Sequence, residues 1–281
     1  MSRYDDLFGD ASTRSGEGAF VPFIMLSDPS PEEAFQIIST AIERGADALE
    51  LGVPFSDPVA DGPTVAESHL RALDGGATVD SALEQIKRVR AAYPEVPIGM
   101  LIYGNVPFTR GLDRFYGEFA EAGADSILLP DVPVREGAPF SAAAGIDPIY
   151  IAPANASEKT LEGVSAASKG YIYAISRDGV TGTERESSTD GLSAVVDNIK
   201  KFDGAPILLG FGISSPQHVA DAIAAGASGA ITGSAITKII ASHCEGEHPN
   251  PSTIRDMDGL KKDLTEFISA TEGSDQEGLG L

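Results

Sequence analysis

A three-residue joint recurs along this chain and constrains its architecture more than any other feature. Gly45-Ala46-Asp47 leads into Ala48 to Leu51, Gly123-Ala124-Asp125 into Ser126 to Leu129, and Gly226-Ala227-Ser228 into Gly229 to Thr232. Each joint puts a glycine where an amphipathic helix stops, directly ahead of a short apolar strand. The helix before the first joint carries its own start signals. Ser30 stands as N-cap, Pro31 takes the first helical position, and Glu32 and Glu33 lie in the first turn. Ala34, Ile37, Ile38, Ala41 and Ile42 then fall at helical spacing on one face. Ahead of that helix, Phe20 to Leu26 is a continuous apolar run, as expected of a strand covered on both faces.

Reading the same unit along the chain predicts eight strands, at 20–26, 48–51, 97–102, 126–129, 148–152, 170–175, 206–210 and 229–232. After the helix ending at Gly45, helices fit 63–74, 78–92, 112–122, 134–144, 157–168, 192–201, 215–225, 234–242 and 256–270. A short amphipathic helix over 2–14, with Tyr4, Leu7 and Phe8 on its apolar side, precedes them all. Alternating strands and helices with short connections call for a parallel sheet with right-handed crossovers. Eight such units closing on themselves make an α/β fold, a single (β/α)8 TIM barrel with an extra N-terminal helix. The 281 residues suit it. An open doubly wound sheet is the alternative. No linker divides the chain, so residues 1–270 read as one catalytic domain and 271–281 as a flexible, acidic, glycine-rich tail. Residues 243–255 read as a polar loop.

Charge excludes several classes of function. Lys and Arg total 20 against 42 Asp and Glu, a formal net charge of −22. A field of that sign repels nucleic-acid phosphates and anionic lipid. The apolar runs fall well short of the roughly 18 residues of a membrane-spanning helix, and the polar N-terminus is unlike a secretory signal. Cys244 is the single cysteine, so no internal disulfide can form. These points favour a cytoplasmic protein. The acidic excess, spread along the chain, suggests a halophilic, high-salt cytoplasm, where screening relieves self-repulsion. An ordinary acidic soluble protein is the plainer reading.

The segment DALELGVPFSDPVADGP (47–63) holds the most chemistry. Glu50 sits in an apolar strand, where a carboxylate is costly unless it is paired, protonated or at a polar mouth. Period-two alternation separates Glu50 from Leu49 and Leu51. If the leucines pack under helices, Glu50 points into the barrel near the carboxyl ends of the strands, the catalytic end of this fold. Asp57 and Asp61 follow on a loop stiffened by Pro54, Pro58 and Pro63. Either could cap a turn, or could serve as a second acid beside Glu50, one group donating a proton while the other accepts. Three glycine-bearing segments come late. GVTG (179–182) lies within a long polar segment, 176–190, that reads as a lid. Gly210-Phe211-Gly212 follows one strand, and Gly233-Ser234 follows the next and opens a helix. Glycine lets backbone N–H groups approach an anion and a helix start adds positive potential, so these segments suggest a phosphate site. Tyr173 shares a strand face with Tyr171 and either meets a ligand or packs in the core. His243-Cys244-x3-His248 lacks the second ligand pair of a zinc site, and no metal is expected. His69 and His218 read as ordinary surface or packing residues on helices. No Lys lies in a predicted strand, which argues against a Schiff-base aldolase.

The run LELGVPFSDPVADGP (49–63) resembles the signature of the tryptophan synthase alpha chain family. GAFVPF (18–23), LLPDVP (128–133), SRDGVTG (176–182), GFGI (210–213) and GSAI (233–236) are similar to the same family, in order, so the resemblance spans about Tyr4 to Ala270. It implies retro-aldol cleavage of indole-3-glycerol phosphate to indole and glyceraldehyde 3-phosphate, a carbon–carbon lyase reaction without a covalent intermediate. It also implies no cofactor in this subunit. The expected partner is a beta chain that uses pyridoxal phosphate to join indole to serine, in an alpha2-beta2 complex. By position, Glu50 resembles the acid/base residue and Asp61 the carboxylate that pairs with the indole N–H. Tyr173 matches a substrate-side tyrosine. Thr181, Gly182, Gly212, Gly233 and Ser234 match the phosphate side, and Phe23, Leu101 and Leu128 resemble walls of the indole pocket. Two other readings compete: a different phosphate-binding barrel, and a scaffold that activates a beta partner without chemistry of its own. Intact Glu50 and Asp61 argue against the scaffold.

Overall fold

The computed structural model describes residues 2–9, 18–140, 145–175, 192–210 and 212–277. Nine strands form one sheet: β1 (Ala19–Met25), β2 (Leu49–Gly52), β3 (Ile98–Leu101), β4 (Ser126–Leu128), β5 (Asp147–Ile149), β6 (Ile151–Pro153), β7 (Ile172–Ile175), β8 (Ile207–Gly210) and β9 (Gly229–Thr232). They lie in the order β5-β4-β3-β2-β1-β9-β8-β7-β6, and every pairing is parallel. The two edge strands are pieces of one run, separated only by Tyr150, whose carbonyl accepts the Tyr173 N–H at 3.1 Å. The sheet therefore curls until its edges meet there. This is the expected eight-unit barrel with its fifth strand in two pieces.

Helices α1 (Arg3–Gly9), α2 (Pro31–Glu43), α3 (Pro63–Asp74), α4 (Val79–Ala92), α5 (Asn105–Arg110), α6 (Leu112–Ala122), α7 (Glu158–Ala167), α8 (Leu192–Lys200), α9 (Pro216–Ala224), α10 (Ser234–His243) and α11 (Met257–Glu277) accompany the strands. The recurring joints behave as their glycines suggest. Gly45, Gly123 and Gly226 have φ of 112°, 100° and 91°, a left-handed turn that ends each helix and sends the chain into the next strand.

Strand alternation sorts two cores. Ala19, Val21, Phe23 and Met25 of β1 point into the barrel with Ala48, Leu128, Tyr171, Tyr173 and Leu208. Phe20, Ile24, Leu49 and Leu51 face outward against helix residues such as Ile37 and Ile38. At the amino ends of the strands α1 closes the barrel. Its Tyr4 is buried and hydrogen-bonds Ser126 Oγ at 2.9 Å, and Arg3 pairs with Asp125 at 2.7 Å.

Some local expectations give way. The helix expected over 134–144 is instead two 3-10 turns, Val134–Glu136 and Ala138–Phe140, with 141–144 outside the described residues. Gly137 between them sits so close to the Tyr150 ring that no Cβ fits, and Pro139 has no N–H to extend a helix. The expected polar loop at 243–255 contains an antiparallel pair, β10 (Cys244–Glu245) with β11 (Thr253–Ile254). The short α5 was not expected. Helix α1 ends at Gly9, with 10–17 outside the described residues, and α11 continues seven residues beyond 270.

Candidate active site

Glu50 lies mid-strand in β2, level with Phe23 of β1 and Gly99 of β3. Because Leu49 and Leu51 pack outward, its carboxyl turns into the barrel, where it is 1% exposed. The Tyr171 hydroxyl donates to its Oε1 at 3.1 Å. Burial pushes the Glu50 pKa up to about 8, the Tyr171 hydrogen bond opposes this, and the charge of Asp61 adds to it. At neutral pH the carboxyl thus keeps its proton and can give it away.

After Gly52 the chain forms a loop, 53–62, that ends at Asp61 and Gly62 before Pro63 starts α3. The Asp61 N–H donates to the Pro58 carbonyl at 3.0 Å. Tyr103, two residues beyond β3, donates its hydroxyl to Asp61 Oδ2 at 2.7 Å and accepts the Ala60 N–H at 3.0 Å. The Phe55 ring stacks on Tyr103 with centroids 5.3 Å apart. His69 of α3 meets the same Asp61 Oδ2 through Nε2 at 3.2 Å, and its Nδ1 accepts the Phe55 N–H at 2.9 Å. Aromatic rings thus hold the loop, and Asp61 is nearly buried beneath them.

A cavity of about 460 Å³ opens beside Asp61, walled by Leu101, Leu128, Ile151, Tyr173 and Ile175. A narrow cleft of about 40 Å³ adjoins it, sharing Asp61, Leu101 and Tyr173 and adding Glu50 and Phe23. Gly212, Gly233 and Ser234 line the same cleft, Gly233 and Ser234 at the start of α10. Tyr173 reaches this position because Gly210 has no side chain; a Cβ there would overlap its ring. Two carboxyl groups, apolar walls and a glycine-lined helix start therefore converge at the carboxyl ends of the strands.

Residues 10–264 match the sequence profile of the tryptophan synthase alpha chain. The chain belongs to the tryptophan synthase alpha chain family. It is 95% identical over 277 residues to the tryptophan synthase alpha chain of Corynebacterium glutamicum, covering 98% of this chain and 99% of that one. The fold is similar to that of tryptophan synthase subunit alpha from Legionella pneumophila, at 27% identity and a TM-score of 0.83, covering 99% of each chain. It is also similar to a chain from the tryptophan synthase α2β2 complex of Pyrococcus furiosus, at 29% identity and a TM-score of 0.80, covering 92% of this chain and 98% of that one. The expected high-salt origin finds no support in the corynebacterial relative. A net charge of −22 needs no such origin, because a Debye length of about 8 Å at physiological salt already screens spread surface charges.

Glu50, Asp61, Phe23, Leu101, Leu128, Tyr173, Gly212, Gly233 and Ser234 all line this pair of cavities, whereas Thr181, Gly182 and the expected lid over 176–190 lie outside the described residues. Three residues touching the two carboxyl groups were missed as such: Tyr171, Tyr103 and His69. Of the two readings of His69, surface fails and packing holds: it is 1% exposed, and both its ring nitrogens are engaged. Its signal was the buried stripe Val65, Ser68, His69 and Ala72 of α3, at i, i+3, i+4 and i+7. The two histidines of the discounted metal motif take separate partners, His243 with Asp263 and His248 with Asp74.

Proposed function

We propose that this chain carries out the lyase reaction of its family, cleaving indole-3-glycerol phosphate to indole and glyceraldehyde 3-phosphate, with Glu50 as acid/base and Asp61 as the ring-nitrogen carboxylate. The observation that carries the assignment is a buried Glu50 carboxyl, its pKa pushed up to about 8, in one cleft with Asp61. Protonated Glu50 gives its proton to the indole C3. Positive charge then develops on the ring nitrogen, where Asp61 accepts the N–H hydrogen bond and stabilises that charge. Glu50, now a carboxylate, takes the proton of the C3′ hydroxyl. The C3–C3′ bond breaks, its electron pair restores the aromatic ring, and the aldehyde forms. One proton leaves Glu50 and one returns, so the residue ends as it began.

Phe23, Leu101 and Leu128 form apolar walls suited to a flat ring, and Tyr173 stands beside them. Gly212, Gly233 and Ser234 receive the phosphate, using backbone N–H groups and the start of α10. Thr181 and Gly182 belong to the same phosphate contacts by family resemblance. These proton transfers call for no metal or cofactor in this chain, and pyridoxal phosphate belongs to the beta chain. Among the described residues, the exposed large hydrophobic side chains are Val59 and Phe108. Val59 lines the cavity mouth, and Phe108 lies on α5, whose preceding Gly104 hydrogen-bonds Asp131 of the same lining. Val59 and Phe108 mark the face we assign to the beta chain, which takes the released indole. No helix among the described residues is long and apolar enough to cross a membrane, and we place the enzyme in the cytoplasm.

Indole release from indole-3-glycerol phosphate, with and without the beta chain, tests the assignment. Glu50→Gln and Asp61→Asn should each nearly abolish release while the fold persists. Retention of more than about a tenth of the activity, roughly 1.4 kcal/mol in barrier, would overturn the roles of both carboxyl groups.

A further inference from the structure

We propose that His69 is a positioning residue for Asp61: its Nε2–H fixes one oxygen of that carboxylate so that the other is presented to the ring N–H of the substrate. The proposal rests on Asp61 being the ring-nitrogen carboxylate and extends that role to a residue outside the cleft lining.

The geometry assigns both ring nitrogens. The Phe55 N–H donates to Nδ1 at 2.9 Å, so Nδ1 carries a lone pair and the proton of the neutral ring sits on Nε2. That N–H is directed at Asp61 Oδ2, 3.2 Å away. One imidazole therefore ties the beginning of the 53–62 loop to its end. The ring is 1% exposed, on the buried stripe of α3, so its direction is set by packing rather than by solvent. The Tyr103 hydroxyl takes the same Oδ2 at 2.7 Å. Two donors from different elements on one oxygen define the plane of the carboxylate and make Oδ1 the oxygen for the substrate. A carboxylate held by one donor can rotate, and the gain from correct orientation falls with it.

The test compares His69→Asn and His69→Gln with the wild type in the presence of the beta chain. Asn keeps an acceptor near the Nδ1 position for the Phe55 N–H but withdraws the donor, whereas Gln places an amide N–H near the Nε2 position. His69→Asn should lower kcat roughly 10- to 100-fold with KM within about threefold, the range for loss of a hydrogen bond to a charged group. His69→Gln should recover most of that loss. Binding of the non-cleavable analogue indole-3-propanol phosphate should weaken measurably, by up to about threefold as for KM, in His69→Asn, while its benzofuran counterpart, which has no ring N–H, should bind as it does to wild type. Equal weakening of both analogues, or no recovery with Gln, would mean a merely structural residue and would overturn the proposal. Full activity of His69→Asn beside an inactive Asp61→Asn would overturn it while sparing the role of Asp61. A fully active Asp61→Asn would remove the role of Asp61 itself and the proposal with it. Should the His69 variants fail to fold, 15N resonances of the wild-type histidines decide. The His69 Nε2 signal should move when the indole analogue binds and stay with the benzofuran, and an unmoved signal with both refutes the coupling.

Discussion

Replacing Glu50 with Gln should leave the protein inactive and at the same time more stable. Folding carries this side chain from water, where its pKa is 4.5, to a site where it is about 8. Below pH 4.5 the carboxyl is neutral in both states and the difference has no effect on stability. Between 4.5 and 8 the unfolded chain releases a proton that the folded chain keeps, so each pH unit weakens the fold by ~1.36 kcal/mol. Across the whole window the loss sums to roughly 5 kcal/mol, of which about 3 kcal/mol has accumulated by pH 7 in the same arithmetic, a large share of an ordinary domain's stability. Gln cannot ionise, and its side-chain carbonyl can still accept the Tyr171 hydroxyl that lies 3.1 Å from Glu50 Oε1. Urea unfolding of both proteins at pH 5, 6, 7, 8 and 9 reads the difference directly. The advantage of the variant should be small at pH 5, grow by ~1.4 kcal/mol per unit, and level off above about pH 8. Parallel stability profiles for the two proteins from pH 5 to 8 would refute a neutral, buried Glu50.

Two further outcomes follow from the same geometry. Indole release should fall as pH rises through about 8 if Glu50 is the proposed acid, because it then loses its proton; a rate that stays flat from pH 7 to 9.5 would count against that role. Gly210→Ala should push Tyr173 out of its seat, raising KM about tenfold and lowering stability by about 1–3 kcal/mol in thermal unfolding, and an unchanged KM would show that Tyr173 does not contact substrate.

The barrel was legible because its repeat is local. A glycine that ends a helix by turning left-handed, followed by a few apolar residues, specifies one β/α unit without reference to the rest of the chain, and Gly45, Gly123 and Gly226 all adopt that geometry. Glu50 was legible for a related reason: Leu49 and Leu51 disclose which way it faces, since an apolar pair must go under the helices. The environment of Asp61 was not legible in this way. Its alternative readings, turn cap or acid, could be separated only by knowing what lies across the loop. Tyr103 and His69 come from two other elements, and their meeting on one oxygen depends on how the 53–62 loop folds back. The 134–144 segment failed for a similar reason. Its backbone follows the Tyr150 ring, a contact from the next strand run that is invisible to helical periodicity.

The extra N-terminal helix also acquires a reason. A raised Glu50 pKa requires that water be kept from both ends of the barrel interior. Towards the carboxyl end the space beside Glu50 narrows to a cleft of about 40 Å³, but nothing in the β/α repeat seals the amino end. There α1 inserts Tyr4, which is 1% exposed and meets the Tyr171 ring edge-on at 5.4 Å, the same residue whose hydroxyl holds Glu50. Burial raises the pKa values of both tyrosines as well, so each hydroxyl stays a neutral partner that neither supplies nor takes up charge. Gly99 makes the insertion feasible, since a Cβ there would lie 2.9 Å from the Tyr4 hydroxyl. The plug, the missing side chain and the buried acid are therefore one arrangement. Helix α1 buries the floor of the barrel, and burial is the main cause of the raised Glu50 pKa that the proposed proton transfer needs.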